Sequence, residues 1–208
     1  MIKSSLLTLL LLTATFSYSH ALTALGARDL AKREVNDTAK KGLIQIHGKK
    51  GAVGVYPLEW EILFFDPFAD QDGEILFFDP FADQDGTKVK VAGNVITQIS
   101  QGYTQLDKFR VFAYKQEEVI DPARIKLDSK DILPALSRSS ALANVKITSV
   151  DLTLSKTDKG PLGTAMWSVT LYAKNQKDEE TEFGKARINA ESGQILDLKI
   201  DLKKLGKK

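Results

Sequence analysis

The chain has 208 residues, no cysteine, two histidines, and 29 Lys and Arg against 27 Asp and Glu, a formal net charge of +2. Disulfide frameworks and cysteine-linked lipid anchors are thereby excluded, and so near-neutral a balance gives no electrostatic case for binding nucleic acid. Zinc, haem and copper centres, which draw on His or Cys, are short of ligands.

The N-terminus carries Lys3, an apolar run over residues 6–12 and a small, polar stretch ending Ser19-His20-Ala21. These are the three zones of a secretory signal. Cleavage is expected after Ala21, with Ala24 as the second choice, so that the mature chain begins at Leu22 and keeps one histidine, His47. The apolar core is too short to span a bilayer, and no later segment is apolar enough to anchor the chain. Export without cysteines points to a bacterial periplasmic or secreted protein.

A helix is predicted over 23–41, with Ala27, Leu30, Ala31, Val35 and Ala39 along one side. A short strand over 43–47 follows, then a glycine-rich turn and a strand over 58–65 that puts Trp60, Ile62 and Phe64 on one face. Within that strand begins an exact tandem duplication. Residues 61–73 and 74–86 both read EILFFDPFADQDG.

A repeat fold needs several copies that stack their faces; two identical copies of one strand and one turn read as an in-frame duplication inside an existing domain. One additional strand between Trp60 and Thr87 would reverse the direction of everything after it, so one copy must leave the sheet. Keeping the first leaves Trp60 in register with Ile62 and Phe64, whereas keeping the second puts Gly73 in place of Trp60. Lengthening a loop costs only about 0.6 kcal/mol per doubling, and exposing a core tryptophan costs several times that. The first copy is therefore expected to hold the sheet.

A strand over 87–91, the turn Gly93-Asn94 and a strand over 95–99 follow. Residues 101–124 carry Gly102, Tyr103, Phe109, Phe112 and Tyr114, too apolar for a flexible linker. The stretch from Phe109 to Tyr114 is expected to be extended and packed, joining the two parts of the chain into one rigid body.

The second part repeats the order of the first. Asp128, Ser129 and Asp131 offer caps for a short helix ending near Leu142, with Ile132, Leu136 and Leu142 as its apolar positions. Because proline fits only a first turn, Pro134 predicts a start at or just before Asp131. In the strand over 145–154, Val145 and Ile147 alternate in one phase and Val150, Leu152 and Leu154 in the other, which predicts a bulge. A turn over 158–163 leads to a strand with Trp167, Val169 and Leu171 on one face. A strand over 182–190, the tight turn Glu191-Ser192-Gly193 and alternating Leu196, Leu198, Ile200 and Leu202 complete the chain, ahead of a basic tail of Lys203, Lys204, Lys207 and Lys208.

The expected fold is thus α+β, in two similar halves, each a helix packed on an antiparallel sheet of three to four strands. The expected boundaries are a signal peptide over 1–21, a first half over 22–120 with the duplication at 61–86, and a second half over 121–208 with the basic tail.

Catalytic equipment is sparse. A Ser-His-Asp set would have to use His47, which reads as a turn residue ahead of Gly48-Lys49-Lys50, and no serine sits in a sharp glycine-flanked turn. The glycine-rich stretch over 48–54 lacks the Lys-Ser/Thr ending of a phosphate loop. Asp70-x-Asp72-Gly73 and Asp83-x-Asp85-Gly86 copy the middle of a calcium loop, but Phe68 and Phe81 fall at its first ligand position and Ala92 ends the second loop where an acid is needed; hairpin turns rich in Asp, Gly and Pro explain them. The pairs Glu59 with Glu61 and Asp197 with Asp201 read as solvated charges on outer sheet faces, without an opposed carboxylate. No catalytic, cofactor-binding or metal-binding residue is assigned, and no cofactor.

Residues 127–202 resemble a PepSY-type domain. The resemblance rests on Leu127-Asp128-Ser129 at the helix entrance, Trp167-Ser168-Val169 in the central strand, and Arg187-Ile188-Asn189-Ala190-Glu191-Ser192-Gly193-Gln194-Ile195-Leu196 at the terminal hairpin. The first half matches more loosely through Trp60-Glu61-Ile62 and the β-turn-β after it. PepSY-type domains are small and exported, so the resemblance implies a stand-alone, non-enzymatic binding or regulatory protein with a protein partner in the cell envelope. Two other readings stand beside it: a carrier for an apolar ligand held between helix and sheet, and a hydrolase whose site is unreadable from sequence. An apolar pocket of roughly 300 Å³ or more would favour the carrier, and a filled core with an exposed apolar patch the protein partner.

Overall fold

The computed structural model describes residues 22–51, 54–66, 86–101, 106–107, 110–111, 116–157 and 163–206, of which those over 101–116 are described by their backbone alone. The expected signal peptide, residues 158–162 of the expected turn over 158–163, the packing of Phe109 to Tyr114, and the Asp70 and Asp83 loops lie outside the described residues.

Among the described residues ten strands run in chain order as β1 (Leu43–Lys49), β2 (Glu59–Phe65), β3 (Gly86–Ala92), β4 (Val95–Gln101), β5 (Leu106–Asp107), β6 (Arg110–Val111), β7 (Ile147–Lys156), β8 (Ala165–Lys174), β9 (Glu180–Asn189) and β10 (Ile195–Ile200). The helices are α1 (Ala24–Ala31) and α2 (Ser129–Leu136), eight residues each. Strands β5 and β6 form a separate two-stranded ribbon. The other eight make one antiparallel sheet in the order β10-β9-β8-β7-β1-β2-β3-β4.

That sheet corrects the expected α+β pair of halves. Ile46, His47 and Gly48 of β1 pair with Leu154, Thr153 and Leu152 of β7, so the chain is one mainly β unit and not two helix-on-sheet halves. Separate sheets would leave both β1 and β7 with unpaired backbone along their edges. Joining them satisfies those groups.

Alternation on the strands behaves as their patterns predict. Trp60, Ile62, Phe64, Val89, Val150, Leu152, Leu154, Trp167, Val169 and Leu171 face the helices and are buried. Gly48 belongs to this face because a Cβ there would stand 2.6 Å from the Trp60 ring and 2.8 Å from Pro57. Gly93 and Gly193 hold their turns at φ +57° and +75°, where a side chain is strained.

The first copy of the duplication occupies the sheet. Trp60, Ile62 and Phe64 stand opposite Val91, Val89 and Thr87. Asp66 of the same copy is buried, where it accepts from Asn36 Nδ2 at 2.7 Å and from the Thr87 hydroxyl at 3.1 Å. Of the second copy, 74–86, the residues 74–85 lie outside the described residues, and Gly86 opens β3 opposite Phe65.

Both helices differ from expectation. Helix α1 stops at Ala31, short of the predicted Lys41, and a 3₁₀ turn covers Ala39–Lys41. Between them stand Val35, Asn36, Asp37 and Thr38, poor helix formers, and Asn36 turns its side chain to accept from the Ala39 amide at 2.8 Å. Helix α2 starts at Ser129, earlier than predicted, with a capping box between Asp128 and Asp131. Pro134 therefore lies in the second turn, where it has no N–H for the Lys130 carbonyl. The Tyr56 hydroxyl donates to that carbonyl instead, at 3.1 Å.

The two tryptophans tie each helix to the sheet in the same way. Trp60 Nε1 donates to the Leu22 carbonyl at 2.8 Å, and Trp167 Nε1 to the Leu127 carbonyl at 3.1 Å. Each carbonyl belongs to the residue before a helix N-cap, Thr23 or Asp128. A predicted bulge appears on β7 between Ile147 and Ser149. An unpredicted one on β10, between Ile195 and Asp197, breaks the expected alternation and leaves Leu196 51% exposed.

Candidate interaction surface

The helices cover one face of the sheet, and the register defines the other. Reading across the strands, Gln98, Lys90, Glu61, His47, Thr153, Ser168, Arg187 and Asp197 form one transverse row through all eight. The next row contains Ala92, Glu59, Lys49, then Asp151, Thr170, Lys185 and Lys199. The surface is polar: His47, Thr153 and Ser168 stand at the middle of the first row, Lys49 and Asp151 at the middle of the second, and charges of both signs flank them. At one end Leu63 and Met166 share this face and are buried.

His47 sits inside β1, not in a turn as its neighbours Gly48-Lys49-Lys50 suggested. Its Nδ1 lies 2.8 Å from the Thr153 hydroxyl. Burial holds the imidazole below its usual range, while Glu61 and Asp151 oppose that effect and Lys49 adds to it. The hydroxyl and the ring meet in the geometry of a nucleophile and its base. Yet both stand on central strands paired on each side, so the backbone amides around them are engaged in the ladder. Among the described residues, the backbone amides beside them are therefore not free to receive an oxyanion.

Beside this row lies a denser polar cluster from four segments. Lys50 Nζ is 2.8 Å from Glu180 Oε2 and 4.2 Å from the centre of the Tyr172 ring. Glu180 Oε1 accepts from the hydroxyls of Thr148 and Ser149, each at 2.7 Å. These bonds, with that from Lys50 largest, hold the Glu180 carboxyl down at about 2. The Tyr172 hydroxyl donates to Asp151 at 2.7 Å, and burial together with that bond pushes the phenol up. Asp151 also accepts from the Lys50 amide. Every group has a partner, so the cluster braces the open face where β1 leaves the sheet.

Sequence reasoning missed this cluster because Lys50 reaches Asp151 and Glu180 across 101 and 130 positions, and because three different strands supply the rest. Glu59 and Glu61 do lie on the outer face, with Glu61 3.7 Å from Lys90. Asp197 stands there too, opposite Arg187. Asp201 does not, because the chain has left β10 and its carboxylate caps a 3₁₀ turn through the Lys203 amide at 3.1 Å. Among the described residues no group of three or more His, Asp or Glu could hold a metal ion.

An open depression of about 210 Å³ lies at the β9–β10 edge, lined by Glu182, Phe183, Lys185, Lys199 and Lys204 among others. It is smaller and more charged than a typical small-molecule site, about 300–1,000 Å³. No helix among the described residues is long and apolar enough to cross a membrane. No protein-family model, curated protein or solved structure matches the chain.

Proposed function

We propose that this chain is an exported, non-enzymatic binding or regulatory protein, acting through protein–protein contact in the bacterial periplasm or outside the cell. The partner would dock on the open sheet face. The observation that carries this reading is the transverse row from Gln98 to Asp197, which crosses all eight strands with His47, Thr153 and Ser168 at its centre and charged pairs on both flanks. Eight strands of about seven residues span roughly 34 Å by 23 Å, about 800 Å². Less the end where Leu63 and Met166 are buried, that approaches what each partner contributes to a standard interface, about 800 Å². The PepSY-type resemblance of residues 127–202 supports the same reading.

The apolar-carrier reading has less support, because Trp60, Trp167, Phe64 and Phe183 are fully buried side chains that fill the core such a ligand would need. The hydrolase reading, whose site is unreadable from sequence, finds one candidate contact, His47 with Thr153, beside which the backbone amides of the described strands are held in the ladder.

The test is a pull-down with the mature protein from its own cell envelope, with Ser168→Arg alongside. Ser168 is exposed at the middle of the face, so arginine there blocks docking and spares the core. Recovery of one stoichiometric partner by the natural protein, lost with Ser168→Arg, supports the proposal. Equal recovery by both proteins, or none by either, overturns it.

A further inference from the structure

The two edges of the sheet are built differently. Strand β10 reads Ile-Leu-Asp-Leu-Lys-Ile, with charges at Asp197 and Lys199 and a bulge at its start, devices that discourage further strand pairing. Strand β4 reads Val-Ile-Thr-Gln-Ile-Ser-Gln. It has no charge and no proline, and four of its residues are β-branched. Val95 is 63% and Ile99 42% exposed. Among the described residues, the backbone of 95–100 pairs only with β3, and no strand among them pairs with its other side. A bulge beside Val91 interrupts the first part of the strand, but residues 98–101 run regularly against 87–90.

We propose that the β4 edge pairs with β4 of a second copy of this chain, antiparallel and centred on Ile99, so that one sheet runs through a two-fold symmetric dimer. Residues opposite each other in an antiparallel pair point to the same face. Centring on Ile99 sets Ile99 against its own counterpart on the helix side, which covers the exposed apolar surface. On the open face the same register sets Gln98 against Ser100 of the partner copy. These two groups already bond within one strand, Gln98 Nε2 donating to Ser100 Oγ at 3.1 Å, so the register matches amide to hydroxyl twice. Lys88 and Lys90 stand one strand back on β3 and do not face their symmetry mates. With no charge on the strand there is nothing to select an oppositely charged peptide, whereas a self-complementary edge closes by two-fold symmetry.

The test is sedimentation of the purified protein across a concentration series, with Ile99→Lys at the proposed centre and Leu196→Lys on the opposite edge as control. Paired lysines at the centre repel, and dimer dissociation should weaken at least about tenfold in affinity for Ile99→Lys while Leu196→Lys matches the natural protein. Because the chain has no cysteine, Ile99→Cys gives an independent measurement: mild oxidation should yield a covalent dimer. Val95→Cys should not, since the two copies of that residue would lie roughly 25 Å apart along the strands. A protein that stays monomeric throughout, a dimer indifferent to Ile99→Lys, or equal cross-linking from Val95→Cys overturns the proposal. Ser168 lies away from this edge, so Ser168→Arg leaves the dimer unchanged and the failure of either proposal is separable from the other.

Discussion

The carboxylate of Asp128 accepts a hydrogen bond from the backbone N–H of Leu25 at 3.1 Å, across 103 residues of sequence. The same oxygen accepts from the Ser129 amide at 2.6 Å, and the Ser129 hydroxyl accepts from the Ala24 amide at 3.0 Å. The N-termini of α1 and α2 therefore meet at one cap. Each brings unsatisfied amides and the positive end of its dipole to the same anion.

Removing that cap should cost more than an ordinary one. Loss of a single N-cap is about 1 kcal/mol, with an upper range near 2, and Asp128→Ala strips amides from two helices. We expect a loss of about 2 kcal/mol or more in urea titration, with Asp128→Asn retaining most of the stability because an amide oxygen still accepts. Equal losses from the two variants would assign the effect to charge alone.

Trp167→Ala should cost about 3–5 kcal/mol, since the ring is fully buried and its N–H bonds the Leu127 carbonyl. Because β1 and β7 are hydrogen-bonded, the destabilised protein should unfold in one transition and not one half at a time. Coincident denaturant midpoints from Trp60 fluorescence and far-UV circular dichroism check this; separated midpoints would show that the centre of the sheet is a weak joint.

The duplication offers a paired comparison. Phe64 is buried in β2, whereas Phe77 occupies the corresponding place in the second copy. Phe64→Asp puts a charge into the core and should lower the denaturant midpoint strongly. Phe77→Asp should have a mild effect or improve solubility. The reverse order would show that the second copy holds the sheet.

Tyr56 and Pro134 are coupled through a carbonyl that neither owns. Tyr56→Phe leaves the Lys130 carbonyl without the hydroxyl that serves it, at a cost of about 1 kcal/mol. In a Pro134→Ala background the helix supplies its own N–H, so Tyr56→Phe should cost measurably less. A double-mutant cycle reads the difference directly, and strict additivity would refute the coupling.

Acid should act on the protein in two stages. Burial lowers the His47 pKa from its usual 6.5, so the unfolded chain binds the proton more readily and stability falls as pH drops through that value. Glu180 is depressed from its usual 4.5 to about 2. Its contribution is complete above 4.5 and is lost as pH falls from there towards 2. His47→Gln should flatten the first stage of a midpoint-against-pH curve and Glu180→Gln the second. A curve that neither variant alters would place the acid sensitivity elsewhere.

Strand faces and turns were legible because their causes are local. Period-two alternation set Trp60 with Ile62 and Phe64, and Trp167 with Val169 and Leu171, before any neighbour was known. Gly93 and Gly193 marked turns that need a positive φ, and the cost of exposing Trp60 chose between two identical copies of β2. What the chain by itself could not express was how its two parts meet. The β1–β7 pairing, the shared cap on Asp128, and the reach of Lys50 to Asp151 and Glu180 join residues a hundred or more positions apart, and only the tertiary structure decided them. Ladder hydrogen bonds depend on backbone groups that every residue carries, so the sequence pattern that marks a strand is silent about which strand lies beside it.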